Sequence, residues 1–355
     1  MDPFFATLGQ EVLSRWKACN FDPASFPQIA RTLLEDRPPS SHVDVSDLIQ
    51  EFLLNDAQPP QSQSGFGQPE LIVFEDPRFY IQLLFWLDGS TDIHQHEFSG
   101  AFHVLEGSSI HSRFEFTDAR SVSARLRVGH LRMRTTELLE TGRTVEIESG
   151  RGFIHSLFHL ETPSITVVVR TQSDPGTGPQ FTYLPPHIAV DPFFHDALTH
   201  RRKQLLDVLE AIGDPGYGAM VAEMLGELDF ERGFFILQNC VLGLRSSGEW
   251  DPVWEVFAGR HGELAQRALP TLDEILRRDA LVALRGSVTE VEHRFFLALL
   301  LNVPDGGQIL RMVADRFPGP AEVTLGRWVG ELAEAGVEDS GLVALALRGA
   351  GLGGR

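Results

Sequence analysis

Cysteine is nearly absent from the 355 residues: there are two, Cys19 and Cys240, far apart and both in segments of helical pattern. That scarcity argues against a disulfide framework or a thiolate metal knot and fits a reducing compartment, so the expected location is the cytoplasm. Basic residues are also short, 30 Lys and Arg against 49 Asp and Glu, for a formal charge of -19. Such a field repels polyphosphates and anionic surfaces, so neither nucleic acid nor a membrane surface is an expected partner. The six arginines between Arg113 and Arg134 do not change this, because in RLRVGHLRMR they mostly alternate with apolar residues, as the wet face of a half-buried strand does. No uninterrupted apolar run approaches the roughly 18 residues of a membrane span. The N-terminal MDPFFATLGQEVLSRWK has no basic start followed by an apolar stretch, so no export signal is expected.

What is present is an ordinary globular composition, 43% apolar, in a chain longer than one core usually serves. Residues 1–56 read as a helical segment: Phe4, Leu8, Val12 and Trp16 recur every fourth residue, and Ser46 can cap a second amphipathic run through Leu54. AQPPQSQSGFGQP, within 57–69, cannot continue a helix and reads as a connector. From 70 to 190 the pattern becomes short β-type runs, LIVF, FYIQLLFWL, AFHVLEG, IHSRFEF, SARLRVGHLRM, TVEIE and SITVVVRT, separated by Gly, Asp, Pro and Ser. Many short strands without intervening helices predict an antiparallel sandwich or barrel. From 191 to 355 the period is helical again, with Leu205, Val208, Leu209 and Ile212 on one face before Gly213. Further helices are expected at about 219 to 228, 231 to 244, 271 to 283, 289 to 303 and 307 to 317. The absence of a fixed repeat period favours a compact helical domain over a solenoid.

Chemistry concentrates in DGSTDIHQHEFSGAFHVLEG, residues 88 to 107. Strand alternation places His94 and His96 on the same face, two rises apart, where both can grip one ion. A second element, SGRGFIHSLFH, brings His155 after a glycine turn and ahead of the apolar run SITVVV. Neutral imidazoles suit late first-row metals, and three of them leave coordination positions open.

These residues resemble the cupin superfamily, whose first motif runs Gly, five residues, His-x-His, three or four residues, Glu, six residues, Gly. Gly89, four residues, His94-Gln-His96 and Gly107 follow it with one residue fewer, and Gly152-Phe-Ile-His155 fits the Gly-x-x-His of the second motif. The resemblance spans residues 70 to 185 and implies an α+β chain: an antiparallel cupin (jelly-roll type) β-barrel with N-terminal helices and a C-terminal all-α domain. At the motif's Glu position stands Gly100. A three-histidine site of this kind is similar to the thiol (cysteine) dioxygenase-like cupins, which implies Fe(II), with other divalent transition metals as alternatives, and dioxygen plus a small anionic or thiol-bearing molecule as substrates. The rest of that subfamily's pattern does not carry over: no upstream arginine is placed to hold an amino-acid carboxylate, and its Ser-His-Tyr series falls on Thr166, Val168 and Arg170.

If Thr166, Val168 and Arg170 share the inner face of their strand, Arg170 points a guanidinium into the cavity and can hold a substrate carboxylate; a surface arginine at a strand end is the alternative. Trp86, Phe98, Phe102 and Phe153 either wall the pocket or belong to the core. His159, at an even offset from His155, is a candidate ligand or ligand partner, whereas His103 and His111 read as structural. Glu97 is turned away by alternation. Glu290-Val-Glu292-His293 has the Glu-x-x-His spacing of a di-iron bundle but no second copy, so it reads as a solvated face. Two functions follow: an iron(II) oxygenase, or a metal- or small-molecule-sensing cupin whose helical domain meets a protein partner or a second copy. 2-Oxoglutarate chemistry ranks below both, since it normally needs a carboxylate where His96 stands.

Overall fold

The period-two pattern of the central third becomes two antiparallel sheets in the computed structural model, which describes residues 3–61, 66–87, 89–193, 196–334 and 352. The strands are β1 (Glu70–Asp76), β2 (Phe79–Trp86), β3 (His94–His96), β4 (Gly100–Glu106), β5 (Ser108–Ser121), β6 (Leu126–Glu140), β7 (Thr144–Ile147), β8 (Gly150–His159), β9 (Ser164–Thr171), β10 (Thr182–Leu184) and β11 (Ile188–Val190). One sheet has the order β1-β2-β9-β4-β7, and the other, β10-β11-β6-β5-β8-β3, is closed into a barrel. From β2 to β9 the chain changes sheet at every step except the β5–β6 hairpin, so strands far apart in sequence pair, β2 with β9 and β3 with β8. That winding is the jelly-roll arrangement of a cupin-type barrel. With helices before and after it, the chain is α+β.

The near-continuous apolar runs of β2 and β9 are explained by burial on both faces. Ile81, Leu83 and Phe85 of β2 and Ile165, Val167 and Val169 of β9 pack in one core with Phe5, Leu8, Val12 and Trp16 of helix α1 (Pro3–Ala18) and Leu33 and Leu34 of α2 (Phe26–Asp36). Their alternate residues, Leu84, Trp86 and Val168, join Phe98, Phe102, Phe153 and Leu157 in a second core on the opposite face. Helix α3 (Val45–Leu54) is capped two residues earlier than the Ser46 expected: the Asp44 carboxylate accepts from the Asp47 amide, since Asp44 is the residue with extended backbone at the helix entry.

The remaining helices are α4 (Ala197–Ala211), α5 (Tyr217–Glu227), α6 (Phe230–Ser247), α7 (Trp250–His261), α8 (Glu263–Ser287), α9 (Val291–Asn302), α10 (Gly306–Arg316) and α11 (Ala321–Glu334). Helix α8 begins at Glu263, eight residues before its expected start at 271, and runs through Pro270, because a proline inside a long helix removes one amide bond without ending a run packed on both sides of it. Residues 335–351 and 353–355 lie outside the described residues. Among the described residues no helix is long and apolar enough to cross a membrane.

The chain forms two compact units, one of residues 1–114, 133–180 and 281–355, the other of 115–132 and 181–280; β5, β6 and α8 each contribute to both. In the first unit the outer face of β8 and β5, Phe158 and Ile110, packs with α9, α10 and α11. Two buried arginines fasten this packing: Arg285 Nε donates to the His159 carbonyl at 3.0 Å, and Arg294 Nη1 to the Leu160 carbonyl at 3.0 Å. In the second unit Leu126, Val128 and Ile188 share a core with α4 to α7. Helix α4 departs from its expected face: Leu206 is buried, whereas Leu205, Val208 and Ile212 are exposed. The apolar stripe is present, but the helix turns its Thr199 and Leu206 side inward instead. Gly213 ends the helix with φ +67°, as expected of a left-handed stop.

Candidate metal centre

Strands β3 and β8 run antiparallel with His94 opposite His155, and a bulge then sets His96 against Gly150. The bulge twists β3 so that both of its histidines and His155 converge: one ring nitrogen from each lies within 4.8 Å of the others, and all three side chains are buried. Their ring centroids are 4.6 Å (His94 to His96), 4.7 Å (His94 to His155) and 5.0 Å (His96 to His155) apart. The three residues named from spacing are thus brought to one point.

The hydrogen bonds fix which nitrogens face that point. His94 Nδ1 donates to the Asp92 carbonyl at 2.7 Å, which leaves Nε2 as a lone pair, and that buried atom has no hydrogen-bond partner. His155 Nδ1 is 3.1 Å from His111 Nε2, and its own Nε2 lies 2.9 Å from His96 Nε2. Two nitrogens bound to one ion at about 2.1 Å and at about a right angle stand about 3 Å apart, so the observed separation suits a shared cation. A lone pair left buried without a partner costs about 1–3 kcal/mol, which an ion at the centre removes. The donor set therefore fits a divalent transition metal. Burial lowers the pKa of all three imidazoles, well below the ordinary value for His96 and His155, so that they stand neutral and ready to coordinate at pH 7.

The absent carboxylate has a steric cause. A Cβ on Gly100 would fall 2.0 Å from the Val169 carbonyl oxygen, across the β4–β9 pairing, so no side chain can occupy the motif's Glu position without moving the sheet. Glu97 is exposed, and its carbonyl accepts the Asp174 amide.

Around the histidines is a small cavity walled by Phe66, Leu84, Trp86, Phe98, Phe102, Ile147, Leu157 and Val168, with Gln82, Thr91 and Thr166 as further polar members. Trp86, Phe98 and Phe102 are therefore pocket wall and core at once, while Phe153 lies against His155 at 4.5 Å. Phe66, in the segment read as a connector, meets the His94 ring edge-on at 5.9 Å.

Arg170 shares the inner face with Thr166 and Val168, but its guanidinium lies 3.4 Å from the centroid of Phe98 and donates to the Thr171 and Gln172 carbonyls. Phe98 in turn sits 4.4 Å from His96. The charge is thus one aromatic ring removed from the histidines. His159 is not among the converging three: it stacks on Trp86 at 4.7 Å, bonds Ser109, and burial takes its pKa down to about 3. His103 bridges Thr144 and Ser40. Glu290, the first member of the Glu-x-x-His pair, is exposed at the N-cap of α9, while Glu292 accepts from Arg327 and Trp328 and His293 faces Glu331, so these side chains pack α9 on α11. The residues that spacing missed are His111 and Glu137, 3.3 Å apart, beside His155.

No family model matches this chain, and no curated protein matches it. Solved structures to which part of this chain is similar include KdgF from Halomonas sp., 17% identical over 34% of this chain and 94% of that one, TM-score 0.24. A cupin-2 domain protein from Shewanella frigidimarina is 16% identical over 36% of this chain and 94% of its own, TM-score 0.22. Hydroquinone 1,2-dioxygenase from Sphingomonas sp., with 4-hydroxybenzoate bound, is 10% identical over 30% of this chain and 68% of its own, TM-score 0.24.

Proposed function

We propose that this chain is a mononuclear non-haem iron(II) cupin oxygenase, of the thiol dioxygenase-like kind, acting on a small substrate. The observation that supports it most is the set of three neutral imidazoles, His94, His96 and His155, facing one point in a small carbon-walled cavity. Iron(II) held there would supply dioxygen activation and a coordination position for the substrate's own thiol or oxyanion. The protein's part is to hold that metal by three nitrogens, keep them unprotonated by burial, and exclude water with Phe98, Phe102, Leu84 and Trp86. With so few polar groups on the wall, the substrate's charged end is directed to the metal. Arg170, behind Phe98, contributes a positive field favouring an anionic substrate without touching it.

The test is oxygen uptake by protein of measured iron content against thiols, amino acids and enolic compounds. Uptake that requires both Fe(II) and one of these substrates is the expected result. Fully iron-loaded protein that takes up no oxygen across the panel would overturn the catalytic reading. A second reading, a sensing cupin that docks a partner or another copy through its helices, draws on the exposed apolar stripe Leu198, Leu205, Val208 and Ile212 along α4.

A further inference from the structure

His111 was expected to be an ordinary structural histidine, yet it stands between the candidate ligand His155 and a carboxylate. Its Nε2 is 3.1 Å from His155 Nδ1, and its Nδ1 is 3.3 Å from Glu137 Oε1. The pairing explains the placement: in the β5–β8 register His111 lies opposite Leu157, diagonally adjacent to His155 on the inner face. Phe102 and Phe153 flank its ring at 6.0 Å, so the two ring nitrogens have their polar contacts in line, one at each end. The side chain of His111 is wholly buried, whereas that of Glu137 is 47% exposed.

Hydrogen-bond donors and acceptors along this line admit one consistent order. A carboxylate only accepts, so His111 Nδ1 must carry the proton. In the neutral ring, His111 Nε2 is then the acceptor, so His155 Nδ1 must be the donor, and the His155 lone pair is left on Nε2, the atom 2.9 Å from His96. One charge at the rim thus fixes the tautomer of a buried ring two residues away.

We propose that His111 and Glu137 are positioning residues, which lock His155 in the tautomer whose Nε2 faces the metal point. The proposal rests on the metal-centre reading for its purpose, and its geometry is independent of it. Among known metal sites, loss of such an outer partner typically lowers affinity by roughly 10- to 100-fold.

The deciding experiment uses Glu137→Gln, which keeps size and replaces a pure acceptor by a side chain that can donate or accept. Because Glu137 is half exposed, the change is compatible with folding; His111→Phe is the second variant. Long-range proton–nitrogen NMR on the metal-free protein reads the His155 tautomer directly, and Co(II) titration reads affinity. Expected in the parent is His155 protonated on Nδ1. Expected in Glu137→Gln is the appearance of the form protonated on Nε2 and a fall in Co(II) affinity of roughly tenfold or more. A parent His155 protonated on Nε2, or an unchanged tautomer and affinity in Glu137→Gln, would overturn the proposal. A parent that binds no Co(II) at all refutes the metal centre instead, and the tautomer measurement still decides the relay.

Discussion

Replacing His94 by leucine should separate what the histidine does for the fold from what it does for the metal. In the metal-free protein His94 Nε2 is buried without a partner, at a cost of about 1–3 kcal/mol, so an apolar side chain of similar reach removes that penalty. The variant loses the Nδ1–H bond to the Asp92 carbonyl, worth about 1 kcal/mol, and Asp92 is exposed enough for water to replace it. The metal-free variant is therefore expected to be as stable as the parent or more so, by about 0–2 kcal/mol. Metal linkage acts in the other direction: at free metal about 1,000 times Kd, a site present only in the folded state adds about 4 kcal/mol to the parent. With one ligand of three removed, that increment should largely vanish. Urea denaturation of both proteins, with and without Co(II), gives the four free energies required. A His94→Leu protein that keeps the full Co(II) increment, or a metal-free variant several kcal/mol less stable than the parent, would refute the reasoning.

Further tests concern the surroundings of the site. Gly100→Ala should cost about 3 kcal/mol in urea denaturation, because its Cβ meets the Val169 carbonyl rather than open space, and Gly100→Glu should add no fourth ligand; a stable Gly100→Glu with tighter metal binding would refute this. His103, buried between Thr144 and Ser40, has its pKa lowered from 6.5 to about 4 by desolvation. The unfolded chain thus binds the proton more readily, so the stability this neutral ring contributes is present above about pH 6.5 and is lost as pH falls toward 4, by up to about 3 kcal/mol. His103→Gln should flatten the stability profile across that window, and an unchanged slope would assign the acid loss elsewhere.

Sequence patterns show period and local spacing, and what they revealed here follows that division. The strands of the barrel were visible because short apolar runs are punctuated by Gly, Asp, Pro and Ser, with β2 and β9 reading as continuous runs since both their faces are buried, and His94-Gln-His96 announced itself through a two-residue spacing on one strand. His155 required a second motif, since its proximity to His94 depends on the β3–β8 register. His111 and Glu137 had no such marker: they reach His155 from β5 and β6, and the contact exists only once those strands pair or fold over it. Helix α4 was legible as a helix but not in its orientation, because an amphipathic stripe says which residues are alike and not which side finds a core. Gly100 was visible as a missing carboxylate, but its reason, a carbonyl oxygen where the Cβ would be, belongs to the sheet.

The separation of Arg170 from the histidines by Phe98 yields the sharpest statement about substrate charge. The ring of Phe98 lies 4.4 Å from that of His96 and 3.4 Å from the Arg170 guanidinium. In series these distances hold the positive charge within about 8 Å of the His96 ring, and a unit negative charge about 8 Å from it gains about 2 kcal/mol at an effective dielectric constant of about 20. Arg170→Met should therefore raise KM for an anionic substrate by roughly thirtyfold and leave that for a neutral one of the same shape nearly unchanged. Phe98→Leu, which thins the wall but keeps it apolar, should leave that ratio largely intact if the arginine acts through its field. If Arg170 instead has to touch the carboxylate, Phe98 must swing aside, and Phe98→Ala should then improve binding of anions alone. A steady-state comparison of one acid and its amide across these variants discriminates between the two, and equal effects of Arg170→Met on both substrates would remove charge from the account altogether.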